Sequence, residues 1–533
     1  KMAKFIWLLL ALVVVTQGLS LLSFIEAKRM SLTDNVIEEY TIWTTPTKSR
    51  VDYNKGYVKS IQIAKDKNFP FGVKYEIHPE ATLEQDVETV CNNLEGKWYR
   101  PIKAETILPD ASDYEAELDE TMNDQECTKF INDFKDEKVD TKNTIWAYYD
   151  KKGRNWVPVR YEVLEFNPWL GSKEKHEIWD FYNYEKSFPL KGVFDVEDST
   201  KTHTMDSEDV TTRLLFVDAD NDEHVEQVFN SFIKTHNRKY SDDNERAMRK
   251  SLFKRSMREV IQTNRQNKGY KLVINKFADK TDEEMTKYKG LRRRPEGKVG
   301  NIPFPYDDKK LESISDDVPS EYDLRLLGLV SNVKNQEDCG SCWTFGTTVA
   351  VEGALARTNG GKLLALSNQA ILDCAWAFGA GGCDGGSDNA AYEWMMEYGI
   401  PTVAEYGPYN NKDGECHIKN MSTTYKIRGY TDVTPLSIGA LKVALVNHGP
   451  LSVSVHASRE FSKYSSGIFY DPKCNELHLD HEVSLVGYGE RDGDTFWILK
   501  NSWGPQWGIG GYMYISARDN VCGVATEPTY VVF

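Results

Sequence analysis

The sequence predicts an α+β protein with an antiparallel β-rich N-terminal domain, a helical middle segment and a mixed C-terminal domain. Three observations predict it. Residues 30–215 are rich in β-branched and aromatic side chains broken by turn signals. Residues 222–264 switch to helical spacing of apolar positions. From Val318 onward the chain is rich in Gly and Trp and holds seven of the nine cysteines. A length of 533 residues suggests about three or four units. An apolar content of 40% is enough for large cores, and a net charge of −16 argues against nucleic acid as a partner.

Lys1 and Lys4 precede an unbroken apolar run, Phe5 to Val15, followed by Thr16, Gln17 and Gly18. Charge followed by a short apolar run is the layout of an export signal, and this run is too short to span a bilayer. The signal is expected over residues 1–27. A second apolar patch, Leu19 to Ile25, leaves the cleavage point open, and a retained anchor is the alternative. Once the signal is removed, no membrane association is expected.

Residues 28–220 are expected to form the β-rich domain. Tyr40–Thr45, Gly72–Ile77, Asn143–Tyr149, Trp156–Phe166 and Ile178–Tyr184 are predicted strands, with a hairpin turn at Asp150 to Gly153. Asp218 to Asp222 begins like a calcium loop. Glu223 stands where such a loop needs Gly and Phe229 where it needs Glu, so the stretch is expected to be a solvated acidic linker. No metal site is predicted.

Residues 221–317 form the middle segment. One amphipathic helix opens with Glu226, Phe229, Phe232 and Ile233, and a longer one runs from Glu245 to Asn264. An extended linker follows, including Arg292-Arg293-Arg294-Pro295, which fits either a processing site or a solvated basic run. The segment carries 22 basic and 17 acidic side chains, net +5. Residues 318–533 carry 15 and 24, net −9.

The chemistry concentrates in residues 318–533. Cys342, in Cys339-Gly340-Ser341-Cys342-Trp343, precedes a helical apolar run. A thiol in the first turn of a helix meets the positive end of the helix dipole, which favours the nucleophilic thiolate. His481 opens an apolar strand and can act as partner base. Asn501, in Lys500-Asn501-Ser502-Trp503-Gly504, can fix the imidazole. An odd cysteine count in an exported chain leaves one thiol unpaired.

With Gln336 ahead of the cysteine, the order Gln, Cys, His, Asn resembles the papain family of cysteine peptidases over residues 318–533. The resemblance implies a two-lobed domain, with Cys342 on the helical lobe and His481 and Asn501 on a β-barrel lobe. It implies Cys342 as nucleophile, His481 as proton donor and Asn501 as orienting group shielded by Trp503. Gln336 and the Cys342 N–H would form the oxyanion hole. It also implies the pairs Cys339–Cys383, Cys374–Cys416 and Cys474–Cys522, and no cofactor. Cys91 and Cys127 are then left over and are expected to bridge within the β domain. The implied reaction is endopeptidase cleavage of protein or peptide substrates, since no histidine-bearing insertion lies between Gly386 and Cys416.

Glu245, Arg249, Phe253, Val260 and Asn264 resemble the helical motif of cathepsin L-like propeptides, with Ser256 and Val260 as departures. Val273, Asn275, Phe277 and Asp279 resemble the second motif, with Val273 in place of Gly. The chain is therefore expected to be a zymogen whose propeptide is its own inhibitor. The opposite net charges predict that acid loosens it as carboxylates protonate. Gly385 and Gly386 match the glycines that bind substrate backbone. Ser387, Asp388, Ser454, Leu479, Glu482 and Glu527 match the pocket for P2, the second residue before the scissile bond. Three carboxylates there predict acceptance of Lys or Arg at P2. Asn420-Met421-Ser422 is a glycosylation sequon.

The N-terminal region, from Ser49-Arg50-Val51-Asp52-Tyr53 through Asn183-Tyr184, resembles the extra chain of two-chain insect haemocyte cathepsin-like proteinases. It offers no catalytic residues, and its cleaved form is a candidate partner of the peptidase. Destinations consistent with an export signal are a lysosome, a secretory granule or the extracellular fluid. Two rival readings are a binding protein that has lost activity, which the filled Gln336, Cys342, His481 and Asn501 oppose, and a crosslinking acyl transferase, which the propeptide motifs and paired glycines oppose.

Overall fold

The computed structural model describes residues 23–533 except 34–35, 66, 81–87, 98–100, 107, 109–112, 136–139, 152–154, 167–172, 186–191, 197–200, 205–218, 220–221, 267, 296 and 316–317. Most of the expected signal, the centre of the Asp150–Gly153 turn and most of the Asp218–Asp222 stretch lie outside the described residues. The chain divides into two compact units, Lys1–Asn267 and Lys268–Phe533.

The first unit is built on strands β1 (Ser23–Ser31), β2 (Val36–Thr44), β3 (Lys48–Tyr53), β4 (Val58–Ile63), β5 (Val73–Glu80) and β6 (Glu88–Glu95). It continues through β7 (Glu115–Met122), β8 (Gln125–Lys135), β9 (Asp140–Asp150), β10 (Asn155–Phe166), β11 (Lys173–Glu185) and β12 (Lys201–Thr204). These form one sheet in the order β12-β6-β5-β4-β3-β2-β1-β11-β10-β9-β8-β7. All neighbours are antiparallel except β12 and β6. Every strand predicted from alternation coincides with one of these elements to within one residue, Thr45 lying just past β2 and Gly72 just before β5. β1 begins at Ser23, and Ile25 and Ala27 belong to the core, so the sheet uses residues that the expected signal overlaps.

Tyr40, Ile42, Val51 and Tyr53 meet Phe130, Ile145, Tyr161 and Phe181 in one core. Arg29 is buried beside them. It donates to Glu38 at 2.8 Å and also to Glu177, so a buried cation is matched by two carboxylates.

Two helices, α1 (Asp222–Thr235) and α2 (Asp243–Asn264), belong to this unit. Phe229 and Phe232 pack on Phe253 at 5.2 and 5.0 Å. Asp242 caps α2 by accepting from the Glu245 N–H. Ser251 donates to Glu174 at 2.6 Å, and the Arg265 guanidinium lies 4.0 Å over the Tyr53 ring. The boundary between compact units thus falls inside the segment that motif reading assigns to the propeptide.

The expected Cys91–Cys127 bridge does not form, and both thiols are free and buried. Cys91 lies on β6 against Ile61 and Ile77, and Cys127 lies on β8 against Trp146 and Val159. Eight strands separate β6 from β8 in the sheet. A disulfide needs its Cα atoms within about 7 Å, far less than that spacing.

The second unit holds a sheet of β13 (Tyr270–Leu272), β14 (Tyr322–Asp323), β15 (Gly429–Asp432), β16 (Leu451–Val455), β17 (Tyr464–Phe469), β18 (His481–Arg491), β19 (Asp494–Lys500), β20 (Tyr512–Ser516) and β21 (Thr529–Val532). The helical lobe contains α3 (Cys342–Thr358), α4 (Asn368–Cys374) and α5 (Asp388–Tyr398), and α6 (Ile438–His448) packs on β21. Every residue of α3 from Cys342 to Ala356 is buried, because the helix is sandwiched between the two lobes. Gly346 lets it press on β16 and β18: a Cβ there would lie 2.9 Å from Glu482 Oε1 and from Ser452 Oγ. Disulfides Cys339–Cys383, Cys374–Cys416 and Cys474–Cys522 are formed.

Candidate active site

Cys342 is the first residue of α3, so its sulfur sits at the helix N-terminus. His481 and Asn501 lie at the adjoining ends of β18 and β19, which pair antiparallel from Ser484↔Lys500 onward. A separation of 20 residues in sequence thereby becomes a 2.8 Å hydrogen bond between His481 Nε2 and Asn501 Oδ1. Trp503 stacks on the imidazole at 4.7 Å and seals that bond from water. The second ring nitrogen, Nδ1, has no hydrogen-bond partner. The Glu482 N–H, next in chain to His481, reaches the Cys342 sulfur.

Gln336 is held through its own amide oxygen, which accepts from Ser502 Oγ at 2.6 Å. Its NH₂ group donates to the Cys339 carbonyl at 3.0 Å and to the Tyr288 carbonyl at 3.2 Å. Tyr288 belongs to the middle segment. The same carbonyl accepts from the Trp503 indole at 3.0 Å. A main-chain oxygen of the chain's own segment therefore occupies the Gln336 side-chain donor, one of the two predicted to form the oxyanion hole.

The segment continues along the cleft. Lys289 pairs with Asp480 at 2.7 Å. The Gly386 N–H donates to the Gly290 carbonyl at 2.9 Å, and the Arg292 N–H donates to the Gly386 carbonyl at 2.7 Å. Close approach depends on missing side chains. A Cβ on Gly290 would stand 2.0 Å from the Gly340 oxygen, and one on Gly386 would stand 2.6 Å from the Trp343 ring.

Covering the cleft sets its electrostatics. Burial pushes the Cys342 thiol well up, with Glu482 and Asp480 adding to the shift and backbone N–H groups opposing it. Burial pushes the His481 imidazole down to about 4, against the hydrogen bond it donates to Asn501 Oδ1. In the covered state both groups are held neutral, because an apolar enclosure penalises the charged forms.

The predicted pocket residues do not all converge. Asp388 meets Arg294, which donates to it through Nε at 3.1 Å and Nη2 at 2.5 Å. Arg294 is thus neither solvated nor part of an open linker. Glu482 is fully buried, and burial first and Asp388 second raise its pKa well above the carboxylate range. Its Oε1 accepts from Ser452 and Thr347, while its Oε2 has no partner. Ser454 donates to Glu527 at 3.4 Å. Ser387 is tied to Asn389 at 2.6 Å. Leu479 lies against Gly523. Asn420 is exposed. Among the described residues no cluster of His, Cys, Asp and Glu could hold a metal.

Sequence reading did not find Tyr288, Arg294 or Asp432 at the site. Tyr288 acts through its carbonyl, which carries no sequence signal. Asp432 lies 44 positions after Asp388, on β15, and only the fold brings it near.

Comparison with known proteins agrees with this geometry. Residues 318–532 match the family model for papain family cysteine proteases, and residues 229–285 match that for the cathepsin propeptide inhibitor domain. A cathepsin L-like peptidase of Aedes aegypti is 36% identical over 318 residues, 58% of this chain and 93% of that protein. Procathepsin L of Mus musculus is 37% identical over 308 residues, 56% of this chain and 89% of that protein. The structure of digestive procathepsin L 3 from Tenebrio molitor larval midgut covers 58% of this chain and 99% of its own, at 34% identity and a TM-score of 0.51.

Proposed function

The chain belongs to the papain family of cysteine proteases, and from that premise we propose how its own residues carry the reaction. It is a zymogen: a peptidase domain preceded by a propeptide inhibitor domain. Its substrates are proteins, and its propeptide is its own inhibitor.

Once uncovered, the Cys342 thiol gives its proton to His481, and the thiolate of this thiolate–imidazolium pair attacks the scissile carbonyl carbon. The carbonyl oxygen, now an oxyanion, accepts from Gln336 Nε2 and from the Cys342 N–H. His481 gives its proton to the leaving amine, and a thioester remains on Cys342. His481 then takes a proton from water, which attacks the thioester and frees the acid product. Asn501 holds the imidazole plane throughout, with Trp503 keeping water off that bond. The observation that carries this reading is the Tyr288 carbonyl on the Gln336 amide: the segment presents a main-chain oxygen where the reaction develops one.

Acid activation follows from the cleft. Uncovering His481 returns it to water, so acid favours the open form. The acidic groups at Asp388 and Glu527 favour a basic residue at P2, while the buried, neutral Glu482 adds no charge. Residues 1–22 serve export, which fits the sheet's use of Ser23 to Ala27 better than cleavage after residue 27. The β-rich unit is an accessory domain and stays with the peptidase or leaves it on maturation. Asn420 carries a glycan.

The test is hydrolysis of fluorogenic peptides by the acid-treated, thiol-reduced full chain at about pH 5, below the histidine reference of ~6.5. Turnover is expected and should vanish in Cys342→Ser. Turnover that survives the substitution contradicts the assignment.

A further inference from the structure

Helix α2 has two faces, and the propeptide motif uses one of them. Glu245, Arg249, Phe253, Ser256, Val260 and Asn264 form one stripe along the helix. On it Arg249 pairs with Glu245 at 3.3 Å, and Phe253 packs on Phe229 and Phe232 of α1. Ser251, Lys254, Arg258, Ile261, Gln262 and Arg265 form a second stripe. With about 100° between successive residues, the two stripes point roughly 160° apart.

The second stripe meets the N-terminal sheet. Ser251 Oγ donates to Glu174 on β11 at 2.6 Å. Lys254 Nζ and Arg258 Nη1 lie 3.9 and 3.8 Å from the Glu165 carboxylate on β10. Gln262 sets its side-chain amide 2.9 Å from Arg29 Nη2 on β1. The Arg265 guanidinium lies 4.0 Å over the Tyr53 ring on β3, and Asn54, just past that strand, donates to the Arg265 carbonyl at 2.9 Å. Arg258, Ile261, Gln262 and Arg265 also line one cavity of about 950 Å³, which Arg29, Tyr40, Tyr53 and Trp179 of the sheet line too. The sheet grips the helix through particular polar groups and one ring, not through a sealed apolar core. A solvated outer face would carry the same residue types. What separates this face from one is burial: the Arg258 side chain is 4% exposed and Gln262 is 2% exposed.

The chain changes partner directly after α2. Lys268 and Tyr270 donate to Glu460, and β13 pairs with β17 of the peptidase domain. Further on, Tyr288 and Arg292 lie in the catalytic cleft. A single cut anywhere in residues 268–317 therefore leaves α1 and α2 joined to the β-rich unit and parts them from the stretch that covers Cys342.

We propose that the β-rich unit is the docking partner of the propeptide helix α2 and keeps α1 and α2 when the chain matures, so that the inhibitor is divided between two products. This rests on the zymogen reading above and gives the N-terminal unit a role in it: retention of the helical half of the inhibitor. The mature N-terminal product then ends beyond Arg265, not at the boundary near residue 220 expected from the sequence.

Two measurements test it. The first is the intact mass of the N-terminal product after maturation of the full chain at about pH 5. The product should end between residues 265 and 317. A product that ends before Asp222, with α1 and α2 recovered as free peptides or with the peptidase, overturns the proposal.

The second needs no catalysis. In the full chain carrying Cys342→Ser, hydrogen exchange over residues 243–264 should rise about tenfold with Arg265→Ala on the helix side and with Glu165→Gln on the sheet side, read against β4 and β5 as internal reference. Unchanged exchange in both variants overturns the docking. If both variants raise exchange but the chain with Cys342 intact never matures, the docking stands and the reaction assigned to Cys342 falls.

Discussion

In the N-terminal sheet, strands that neighbour each other in space from β6 back to β1, and from β11 back to β7, are also neighbours in the chain. In the C-terminal unit the order β13-β17-β20-β19-β18-β16-β21-β15 interleaves distant segments. The first unit closes by short hairpins, carries two free thiols and is pinned by the buried Arg29–Glu38–Glu177 cluster. The second closes over long loops and is tied by disulfides spanning 44, 42 and 48 residues. Local pairing needs little loop entropy to be overcome, while distant pairing needs more and is here covalently assisted.

The sharpest break of this comparison is reduction. In the chain-entropy picture, a loop of about 45 residues makes each bridge worth roughly 4 kcal/mol. Calorimetry of the full chain should show the C-terminal transition falling steeply in reductant while the N-terminal one stays in place. Equal falls would show that the first unit also depends on a bridge.

Next in size is Arg29→Ala. It removes the cation shared by Glu38 and Glu177, leaving Glu177 with Lys175 and Glu38 with the Tyr40 hydroxyl, and should cost the N-terminal unit about 3 kcal/mol in denaturant unfolding. Peptide turnover by the matured enzyme should not change. A cost below about 1 kcal/mol would mean that water or movement relieves the cluster.

The third test is pH. The covered His481 titrates at about 4, well below the ~6.5 of an exposed histidine. Above ~6.5 both covered and uncovered forms are neutral, and the cover keeps its full stability. As pH falls towards 4 the uncovered imidazole takes a proton that the covered one refuses. That difference is worth roughly 3 kcal/mol in favour of opening. Maturation of the full chain should therefore accelerate through this window. A rate independent of pH between about 7 and 4 would remove both this linkage and the opposite-charge argument.

The smallest effect sharpens the contrast in cysteines. Cys91→Ala and Cys127→Ala should each cost about 1–2 kcal/mol, as for loss of a small buried side chain. Denatured but unreduced protein should titrate three thiols, Cys91, Cys127 and Cys342. One thiol would restore the bridge that the sheet order excludes.

What was legible differs between the units for the same reason. Alternation in Tyr40–Thr45 or Trp156–Phe166 reports local pleating, so the strands could be read, but the 12-stranded order that separates Cys91 from Cys127 is a global property with no local mark. In the peptidase, Cys342, His481 and Asn501 stood out because each sits in a dense local motif. The acidic pocket was half legible. Asp388 lies beside the paired glycines and could be named, whereas Asp432 and Thr529 reach it through β15 and β21. Arg294 was visible as one of a basic run, and its burial between two aspartates was not, because charge runs are usually solvated.

The central claim is that a complete catalytic site is held shut by the chain's own middle segment. The most direct measurement is the rate at which a neutral alkylating reagent modifies Cys342 in the full chain at neutral pH and after maturation near pH 5, mapped by peptide mass spectrometry. The buried, neutral thiol should be almost inert before maturation and modified first among the three free thiols afterwards. Equal reactivity before and after would contradict the account.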